Sequence, residues 1–192
     1  STIDENDDVF LSFKMPESTR VASILNSNTS GGDGSTQTLT LLAGSIRDIA
    51  TNLLPIDNTF ISLTEVTDFG NPVITSVELN YSTGLVTITC NETIDGVPSN
   101  FVNRSRIFLS DNAGARQISL EGSITFQQES PTISILLTEL QRVTAIPLSG
   151  TQGGDGNAMF ADFDHGALRD MATNRLDQAY GVPIVETGDS VI

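Results

Sequence analysis

The stretch Gly166-Ala167-Leu168-Arg169-Asp170-Met171-Ala172-Thr173-Asn174 repeats the earlier stretch Gly44-Ser45-Ile46-Arg47-Asp48-Ile49-Ala50-Thr51-Asn52. The two stretches are 122 positions apart (166 − 44 = 122), and the same offset aligns Gly153-Gly154-Asp155-Gly156 with Gly31-Gly32-Asp33-Gly34. Across the 45 ungapped positions 132–176, 18 residues are identical to those 122 positions earlier, whereas unrelated sequences give about three. The chain therefore contains an internal repeat, and this repeat decides how its domains are organised.

The repeat divides the chain into unequal parts. Val73–Ser190 is predicted to be one complete unit, and Ser1–Pro72 is predicted to be the rear part of an incomplete one. Val191–Ile192 comes shortly after a glycine, as Val73-Ile74 does, so these two residues are predicted to begin a third unit. The incomplete unit has no counterpart of Val73–Phe126, where most strands are predicted. We expect it to be completed either by neighbouring sequence of a longer chain or by strands from another copy.

Alternating apolar and polar residues fill the complete unit, and this period of two is typical of half-buried β-strands. Two such runs, residues 76–81 and 86–91, flank the turn Ser82-Thr83-Gly84 and predict a hairpin. Further runs bring the total to about seven short strands, and Thr138 is predicted to cap a helical turn that ends before Pro147. The pattern predicts an all-β fold of tandem immunoglobulin-like β-sandwich repeats, each with one short helical turn. The other predicted strands are marked by Ile107, Leu109, Ile118, Leu120, Ile124, Phe126, Ile133, Ile135, Leu137 and the range Ala158–Phe163.

The charge and cysteine content narrow the classes of partner. Lys and Arg total 9 and Asp and Glu total 24 in 192 residues, a formal net charge of −15. Nucleic acids and anionic membranes bind clustered cations, so this charge argues against both. No apolar run reaches the roughly 18 residues of a membrane-spanning helix, so no membrane span is predicted. Cys90 is the single cysteine, which excludes an internal disulfide, and its place on an apolar strand face predicts a buried side chain.

Three stretches of the chain resemble repeats of very large extracellular proteins. Residues 166–174 are similar to the ending of bacterial immunoglobulin-like and cadherin-like repeats in surface proteins. Ile135–Val143 and Leu79–Thr89 are similar to repeats of large secreted proteins of marine protists and bacteria. Both copies of the ending depart from the usual Ala-Gly-Asn, since each has Ala-Thr-Asn. The resemblance implies an extracellular scaffold, as in adhesins, cell-surface fibres and mastigonemes, and it specifies no ligand.

The residues offer little for catalysis. His165 is the only histidine, so a Ser-His-Asp triad would have to use it beside Asp162 or Asp164. Its counterpart in the other copy is Ala43, and no nucleophile elbow or phosphate-binding loop accompanies it. We therefore expect no catalytic residues, no enzymatic activity and no required cofactor.

Four aspartates of the complete unit are candidate calcium ligands, namely Asp155, Asp162, Asp164 and Asp170. Calcium is bound by several oxygen atoms from flexible loops, and these four side chains could converge at one end of the predicted sandwich. In the incomplete unit Asp33 and Asp48 remain, whereas Thr40 and Leu42 replace the other two. The alternative is that Asp48 and Asp170 bond the backbone of their own turns while the others are solvated. The sequence leaves both interpretations open.

Four Asn-X-Ser/Thr sequences are candidate N-glycosylation sites, at Asn28, Asn80, Asn91 and Asn103. The predicted strands place Asn80 and Asn91 on the outward face, where a glycan has room. We expect some of these sites to carry N-glycans if the protein is secreted by a eukaryote, and none by this route if it is bacterial.

Together these features predict a structural, non-enzymatic building block of an extracellular filament or cell-surface fibre. Its expected partners are other copies of itself, joined head to tail or by strand complementation, or further repeats of the same chain. The alternative function is a calcium-dependent adhesin or carbohydrate-binding module, in which Tyr180 and Phe163 are the candidate sugar-stacking residues.

Overall fold

The structure, a computed structural model, describes residues 2–3, 12–56, 58–126 and 128–189, and for residues 2–3 and 58–60 it describes the backbone alone. The chain is all-β in class and divides into two compact units, Ser1–Asp68 (unit 1) and Phe69–Ile192 (unit 2). The predicted start of a third unit, Val191–Ile192, lies outside the described residues. None of the helices in the described ranges has the length and apolar character needed to cross a membrane.

Within the residues that the structure describes, unit 1 contains two small antiparallel sheets and one helix. Strands β1 and β2 pair with each other, and β3 pairs with β4. Helix α1 lies between the two pairs in the chain, and its Arg20 forms an ion pair with Glu17 one turn earlier. The elements are β1 (Thr2–Ile3), β2 (Phe13–Lys14), α1 (Glu17–Leu25), β3 (Thr38–Leu41) and β4 (Asn58–Ser62).

Unit 2 contains one curled sheet of eight strands, in the order β8-β7-β11-β12-β5-β6-β10-β9, and one helix. The strands are β5 (Ile74–Asn80), β6 (Leu85–Ile94), β7 (Ile107–Ser110), β8 (Ile118–Ser119), β9 (Ile124–Thr125), β10 (Ser130–Leu136), β11 (Phe160–Phe163) and β12 (Ala179–Thr187), and the helix is α2 (Glu139–Ala145). Three single 3-10 turns, Ser99–Phe101, Arg104–Arg106 and Ile146–Leu148, complete the unit.

Strand β12 joins the two halves of this sheet. Its first part pairs antiparallel with β11, with Phe160 opposite Pro183, and its last part pairs parallel with β5, with Val77 opposite Ile184. The inward side chains of both halves belong to one contiguous buried cluster, which includes Phe163. The sheet therefore curls around a single core.

The sequence predicted the central hairpin and the helix cap correctly. In β5 and β6, Val77 lies opposite Ile88 and all the inward apolar residues are buried. Cys90 is buried there as predicted, and burial, together with the nearby charge of Glu92, raises the pKa of its thiol to about 12. Thr138 caps α2 in a reciprocal capping box with Gln141.

The end of α2 and the short strand at Ile124 are also as predicted, but the side chains of that strand face in an unexpected direction. Helix α2 ends at Ala145, before Pro147 as predicted, and Pro147 lies at the start of the separate 3-10 turn that follows. Ile124 and Phe126 are exposed, whereas Thr125 between them is buried. Strand β9 is an edge strand of two residues, so its register with β10 rather than its hydrophobicity decides which side chains turn inward.

The sheets of unit 1 correspond to the last four strands of unit 2. Strands β1 and β2 pair as β9 and β10 do, since Ile3 lies opposite Phe13 and their counterparts Thr125 and Ile135 also lie opposite each other. The sequence comparison predicted that the incomplete unit has no counterpart of Val73–Phe126. Since β1 corresponds to β9, which lies within that range, the incomplete unit begins earlier in the repeat than predicted.

Strands β3 and β4 repeat the pairing of β11 and β12, including an irregularity in register at the same place. Leu41 lies opposite Asn58, as Phe163 lies opposite Ala179. The offset between the units is 163 − 41 = 122 before this point and 179 − 58 = 121 after it. Unit 1 thus has one extra residue between Leu54, the last residue that is identical at the offset of 122, and β4.

Unit 1 has no described counterpart of β5, β6, β7 or β8. We call residues 69–122, which contain these four strands, the front segment, and the remainder of unit 2 the rear segment. Strand β12 extends to Thr187 because β5 pairs with its last part. Strand β4 ends at Ser62, the counterpart of Pro183, where pairing with a β5 equivalent would begin.

Among the residues that the structure describes, unit 1 has no apolar core like that of unit 2. Phe13 is 57% exposed and Ile49 is 83% exposed, whereas their counterparts Ile135 and Met171 are 0% and 5% exposed. Ile24 is the one hydrophobic side chain that is buried among those of unit 1 that the structure describes. Since burial of apolar surface is the main stabilising term in folding, the described part of unit 1 gains less stabilisation from it than unit 2 does.

Hydrogen exchange tests this difference inside one molecule. The Leu54 amide donates to the Ile46 carbonyl at 2.9 Å, and its counterpart, the Leu176 amide, donates to Leu168 at 3.0 Å. We expect Leu54 to exchange at least about 100-fold faster, which corresponds to about 3 kcal/mol less free energy of local opening. Comparable protection at both amides, measured by NMR, would show that unit 1 is self-sufficient.

Candidate functional site

The candidate site is a socket in unit 2 that holds Tyr81, the residue just after β5. Tyr81 is completely buried, and its hydroxyl donates to Glu186 Oε1 at 2.7 Å. Its backbone N–H donates to the Thr187 carbonyl at 2.9 Å, and its carbonyl accepts from Arg142 Nη1 at 2.9 Å. Side chain and backbone are thus both held, so Tyr81 fastens the front segment to the rear segment.

Glu186 and Arg142 are themselves held in place by neighbouring groups. Glu186 Oε2 accepts from the backbone N–H groups of Gly150 and Met159, each at 3.3 Å. Arg142 forms ion pairs with Glu139 and Asp189, each at 2.8 Å. Burial, and then the hydrogen bond to Glu186, raise the pKa of Tyr81 well above its usual range, so its hydroxyl is a permanent donor at neutral pH.

Unit 1 contains the same socket residues. Glu65 Oε2 accepts from the Asn28 N–H at 3.0 Å and Glu65 Oε1 accepts from the Gln37 N–H at 2.9 Å, and these two donors are the counterparts of Gly150 and Met159. Arg20 pairs with Glu17 and with Asp68, each at 2.7 Å, as Arg142 pairs with its two carboxylates. The receptor half of the socket is therefore built in both units.

A cavity of about 410 Å³ lies in unit 1 at this position. Its lining includes Arg20 and Glu65, whose counterparts Arg142 and Glu186 both bond Tyr81 in unit 2, and it also includes Ser27. A volume in this range is typical of ligand pockets. The cavity in unit 1 thus corresponds to the space that a tyrosine fills in unit 2.

The Gly-Gly-Asp-Gly loop supports the socket in the same way in both units. A side chain on Gly32 would lie 2.1 Å from the Ser27 carbonyl oxygen, and one on Gly154 would lie 2.0 Å from that of Ser149. No Cβ fits at such distances, so these glycines are required by the close approach of the backbone. The hydroxyl of Ser27 donates to the Ile24 carbonyl, and the hydroxyl of Ser149 donates to the Ile146 carbonyl, both at 2.8 Å.

The predicted calcium ligands are distributed among different roles. Asp162 is completely buried and accepts four hydrogen bonds, from Gly114 N, Arg116 N, Gly181 N and Ser110 Oγ, at 2.8–3.3 Å. It therefore holds the loop between β7 and β8 against β12.

Asp164 lies beside the same loop, because both its oxygens accept from Arg116 Nη1 at 3.1 Å and one accepts from the Tyr180 hydroxyl at 2.7 Å. Asp155 accepts from the backbone and side-chain N–H groups of Asn157, both at 2.9 Å. The structure thus brings Asp164 near Asp162 through Arg116, while Asp155 serves its own turn.

Asp170 also serves its own turn, as the alternative interpretation predicted. It accepts from the backbone and side chain of Asn174 at 2.7 and 2.9 Å, and Asp48 accepts from Asn52 in the same way at 2.8 and 2.9 Å. At the position where the resembling repeats have glycine, Thr173 has a φ of 72°, a left-handed conformation that is strained for a β-branched residue.

The four aspartates do not form one cluster of metal ligands. Across the described ranges, no group of three potential ligand side chains includes Asp155, Asp162 or Asp164. The Asp170 carboxylate lies within 4.8 Å of Glu92, and both side chains are buried. Calcium binding at these residues stays a prediction.

The candidate glycosylation sites differ in exposure. Asn28 and Asn91 are exposed, on the loop after α1 and on β6. Asn80 is half-buried, and its side-chain Oδ1 accepts from the N–H groups of Ser82 and Thr83 in the hairpin turn. Asn103 is also half-buried and lies in a pocket of about 190 Å³ together with three arginines, Arg106, Arg169 and Arg175.

The residues considered for catalysis and sugar stacking have other surroundings. His165 is exposed, and its Nδ1 lies 3.7 Å from Oδ1 of Asp177. Phe163 is completely buried in the core, so its predicted role as a stacking platform is wrong. Tyr180 is 38% exposed and lies under the guanidinium of Arg116.

The sequence comparison missed Glu65, Glu186 and the role of Tyr81. The identities were counted at a single offset of 122, and Glu65 and Glu186 are 121 positions apart (186 − 65 = 121). Allowing one inserted residue after Leu54 would have aligned these glutamates, and Asp68 with Asp189 as well.

No protein-family model matches this chain. Comparisons with curated proteins and with solved structures also give no significant match.

Asp162 can be tested by substitution. Asp162→Ala removes the acceptor for three backbone N–H groups at a buried position, so we expect it to lower the free energy of unfolding of unit 2 by about 3 kcal/mol. Both tyrosines, Tyr81 and Tyr180, lie in unit 2 and the chain has no Trp, so tyrosine fluorescence in urea reports on this unit.

The control is Asp177→Ala, which removes an exposed carboxylate and should change the free energy of unfolding by less than about 0.5 kcal/mol. A change below about 1 kcal/mol for Asp162→Ala would mean that its bonds do not hold the loop.

The pKa values of two aspartates that bond their own turns, Asp48 and Asp155, should respond differently to loss of the neighbouring asparagine side chain. The side chain of Asn52 is the main cause that lowers the pKa of Asp48, whereas the backbone N–H of Asn157 is the main cause for Asp155. Asn52→Ala should therefore raise the pKa of Asp48 towards its ordinary value of 3.8, more than Asn157→Ala raises that of Asp155. Carboxyl ¹³C NMR titration measures both.

The direction in which these carboxyl groups make folding stability depend on pH follows from thermodynamic linkage. A carboxyl with a lowered pKa in the folded state stabilises the fold above its unfolded pKa, and this stabilisation is lost as the pH falls through the folded pKa. Equal pKa shifts of Asp48 in Asn52→Ala and of Asp155 in Asn157→Ala would contradict the conclusion that the two lowered pKa values have different main causes.

Proposed function

We propose that this protein is a structural, non-enzymatic building block of an extracellular filament or cell-surface fibre, assembled from tandem repeats of the kind seen in unit 2. The observation that carries the proposal is the incompleteness of unit 1. It repeats the strand register, turns and socket of the rear segment, yet apolar positions that are buried in unit 2 are exposed in it. Such a unit gains its stability from a neighbour.

The direction of the strands supports an extended array. Strand β5 is the first of unit 2 and β12 the last, and the two pair in parallel. Adjacent parallel strands start at one end of a sheet and finish at the other. The chain therefore enters and leaves the unit at opposite ends, as an extended array of tandem units requires.

The finer fold belongs to the same proposal. The order of the strands gives two sets of four, β8-β7-β11-β12 and β5-β6-β10-β9, whose inward faces share one core. This division supports an immunoglobulin-like sandwich in which β12 belongs to one sheet and pairs with the other at its end.

The number of segments decides what kind of neighbour is needed. The described residues contain two rear segments and one front segment, which already completes unit 2. A polymer of identical chains of this composition leaves one rear segment per chain without a front segment, even if the strands are exchanged. The missing partner is therefore a front segment of a further repeat.

A fused chain tests this function. A second copy of residues 69–122 is joined to Ser1, the position that corresponds to Ser123. We expect the fused chain to form an elongated particle in small-angle X-ray scattering, with Leu54 as protected from exchange as Leu176, because both rear segments are then covered. In electron microscopy the native assembly should be a fibre whose axial repeat equals one unit.

The matched control is a fused chain in which the added copies of Val77 and Ile88 are replaced by Asp, which places charge in the core. This control should leave Leu54 unprotected. A compact particle from the fused chain, or a native form without axial repeat, would refute the fibre.

A further inference from the structure

We propose that the cavity of unit 1 is a receptor for a tyrosine at the end of a β-strand, supplied by the front segment of a further repeat. The inference deepens the proposed function, on which it rests, by naming the contact that joins the segments. The sister unit shows the occupant, since Tyr81 fills the matching position with its hydroxyl on Glu186.

The lining of the cavity fits this ligand group by group. It combines apolar side chains, Met15, Ile24 and Leu63, with the polar Arg20, Ser27 and Glu65. The apolar side chains suit the ring of a phenol, while Glu65 and Arg20 match the groups that hold its hydroxyl and its backbone carbonyl in unit 2. The cavity is thus shaped for an aromatic side chain with a donor at its tip.

Glu65 can accept the hydroxyl through a small rearrangement that unit 2 displays. In unit 1 each oxygen of Glu65 accepts one backbone N–H, from Asn28 or Gln37. In unit 2 both matching N–H groups donate to Glu186 Oε2, and Oε1 takes the hydroxyl of Tyr81. Moving the Gln37 hydrogen bond from Oε1 to Oε2 would make room for the ligand on Glu65.

The backbone next to the cavity matches the same ligand. Residues 63–66 are outside any strand in unit 1, whereas their counterparts 184–187 pair with β5. Val66 corresponds to Thr187, whose carbonyl accepts from the N–H of Tyr81. The incoming strand would therefore add to β4 in parallel and place its tyrosine in the cavity at the last rung.

The ligand does not come from an identical chain in its native form. Tyr81 is completely buried in its own socket, so a second copy could offer it only by opening unit 2. The segment that binds is one whose tyrosine is not already held.

The probe is a synthetic hairpin with the sequence of residues 73–91, added to the full ¹⁵N-labelled chain. We expect saturable shifts at the amides of Asn28, Gln37 and 63–66. A hairpin with Tyr81→Phe lacks the hydroxyl and should bind about tenfold more weakly, as should the normal hairpin on chain variant Glu65→Gln. The two changes together should cost little more than either alone, because they remove the same hydrogen bond.

Asp48→Asn is the matched control, since it removes one exposed carboxylate of unit 1 that does not line the cavity, and it should leave the affinity unchanged. The proposal is overturned if the hairpin shifts other residues, or if the tyrosine and Glu65 changes are additive. If the hairpin fails to bind, Tyr→Phe in the added segment of the fused chain must speed exchange at Leu54, and no effect there overturns it too.

The outcomes separate this inference from the fibre. Binding with the expected double-mutant cycle, but without an axial repeat in the native form, would retain the socket and refute the filament. A periodic native fibre, combined with a fused chain in which Tyr→Phe leaves exchange at Leu54 unchanged, would retain the filament and refute the socket. A dimer of the unmodified chain that exposes its own Tyr81 would show exchange between identical copies instead.

Discussion

The structure depends on the shared strand β12, which must pair with a different strand along each part of its length for the unit to close. Its first part is satisfied by β11 within the rear segment, but its last part depends on β5 in the front segment. Unpaired backbone groups next to an apolar face are costly, so a rear segment without its front segment stays open. The difference between the two units follows from this one requirement.

Tyr81 occupies the point where this requirement is met. It lies where β5 ends beside the last residues of β12, and it bonds the rear segment with both its backbone and its hydroxyl. The charged partners Glu186 and Arg142 are also held by neighbouring groups, as Glu65 and Arg20 are in unit 1, and side chains held in this way lose less entropy on association. A prebuilt receptor of this kind explains why unit 1 can keep the same geometry while its cavity lacks the ring.

The sequence was sufficient for local features and for the repeat, but less so for long-range ones. Period-two alternation and turn residues predicted the hairpin around Gly84, and the capping residue Thr138 predicted α2, because these features depend on neighbours in the chain. The burial of Phe163 and the outward direction of Ile124 depend on strand register and on distant segments. The pairing of Glu186 with Tyr81, 105 residues apart, carries no local pattern, and the one-residue insertion hid the matching Glu65.

The parallel pairing of the first and last strands also has a mechanical consequence. If a chain of such units is stretched, tension pulls β5 and β12 past each other along their length. The hydrogen bonds between them are then loaded together in shear instead of breaking one after another. A unit closed in this way resists force best along the axis on which an array would be pulled.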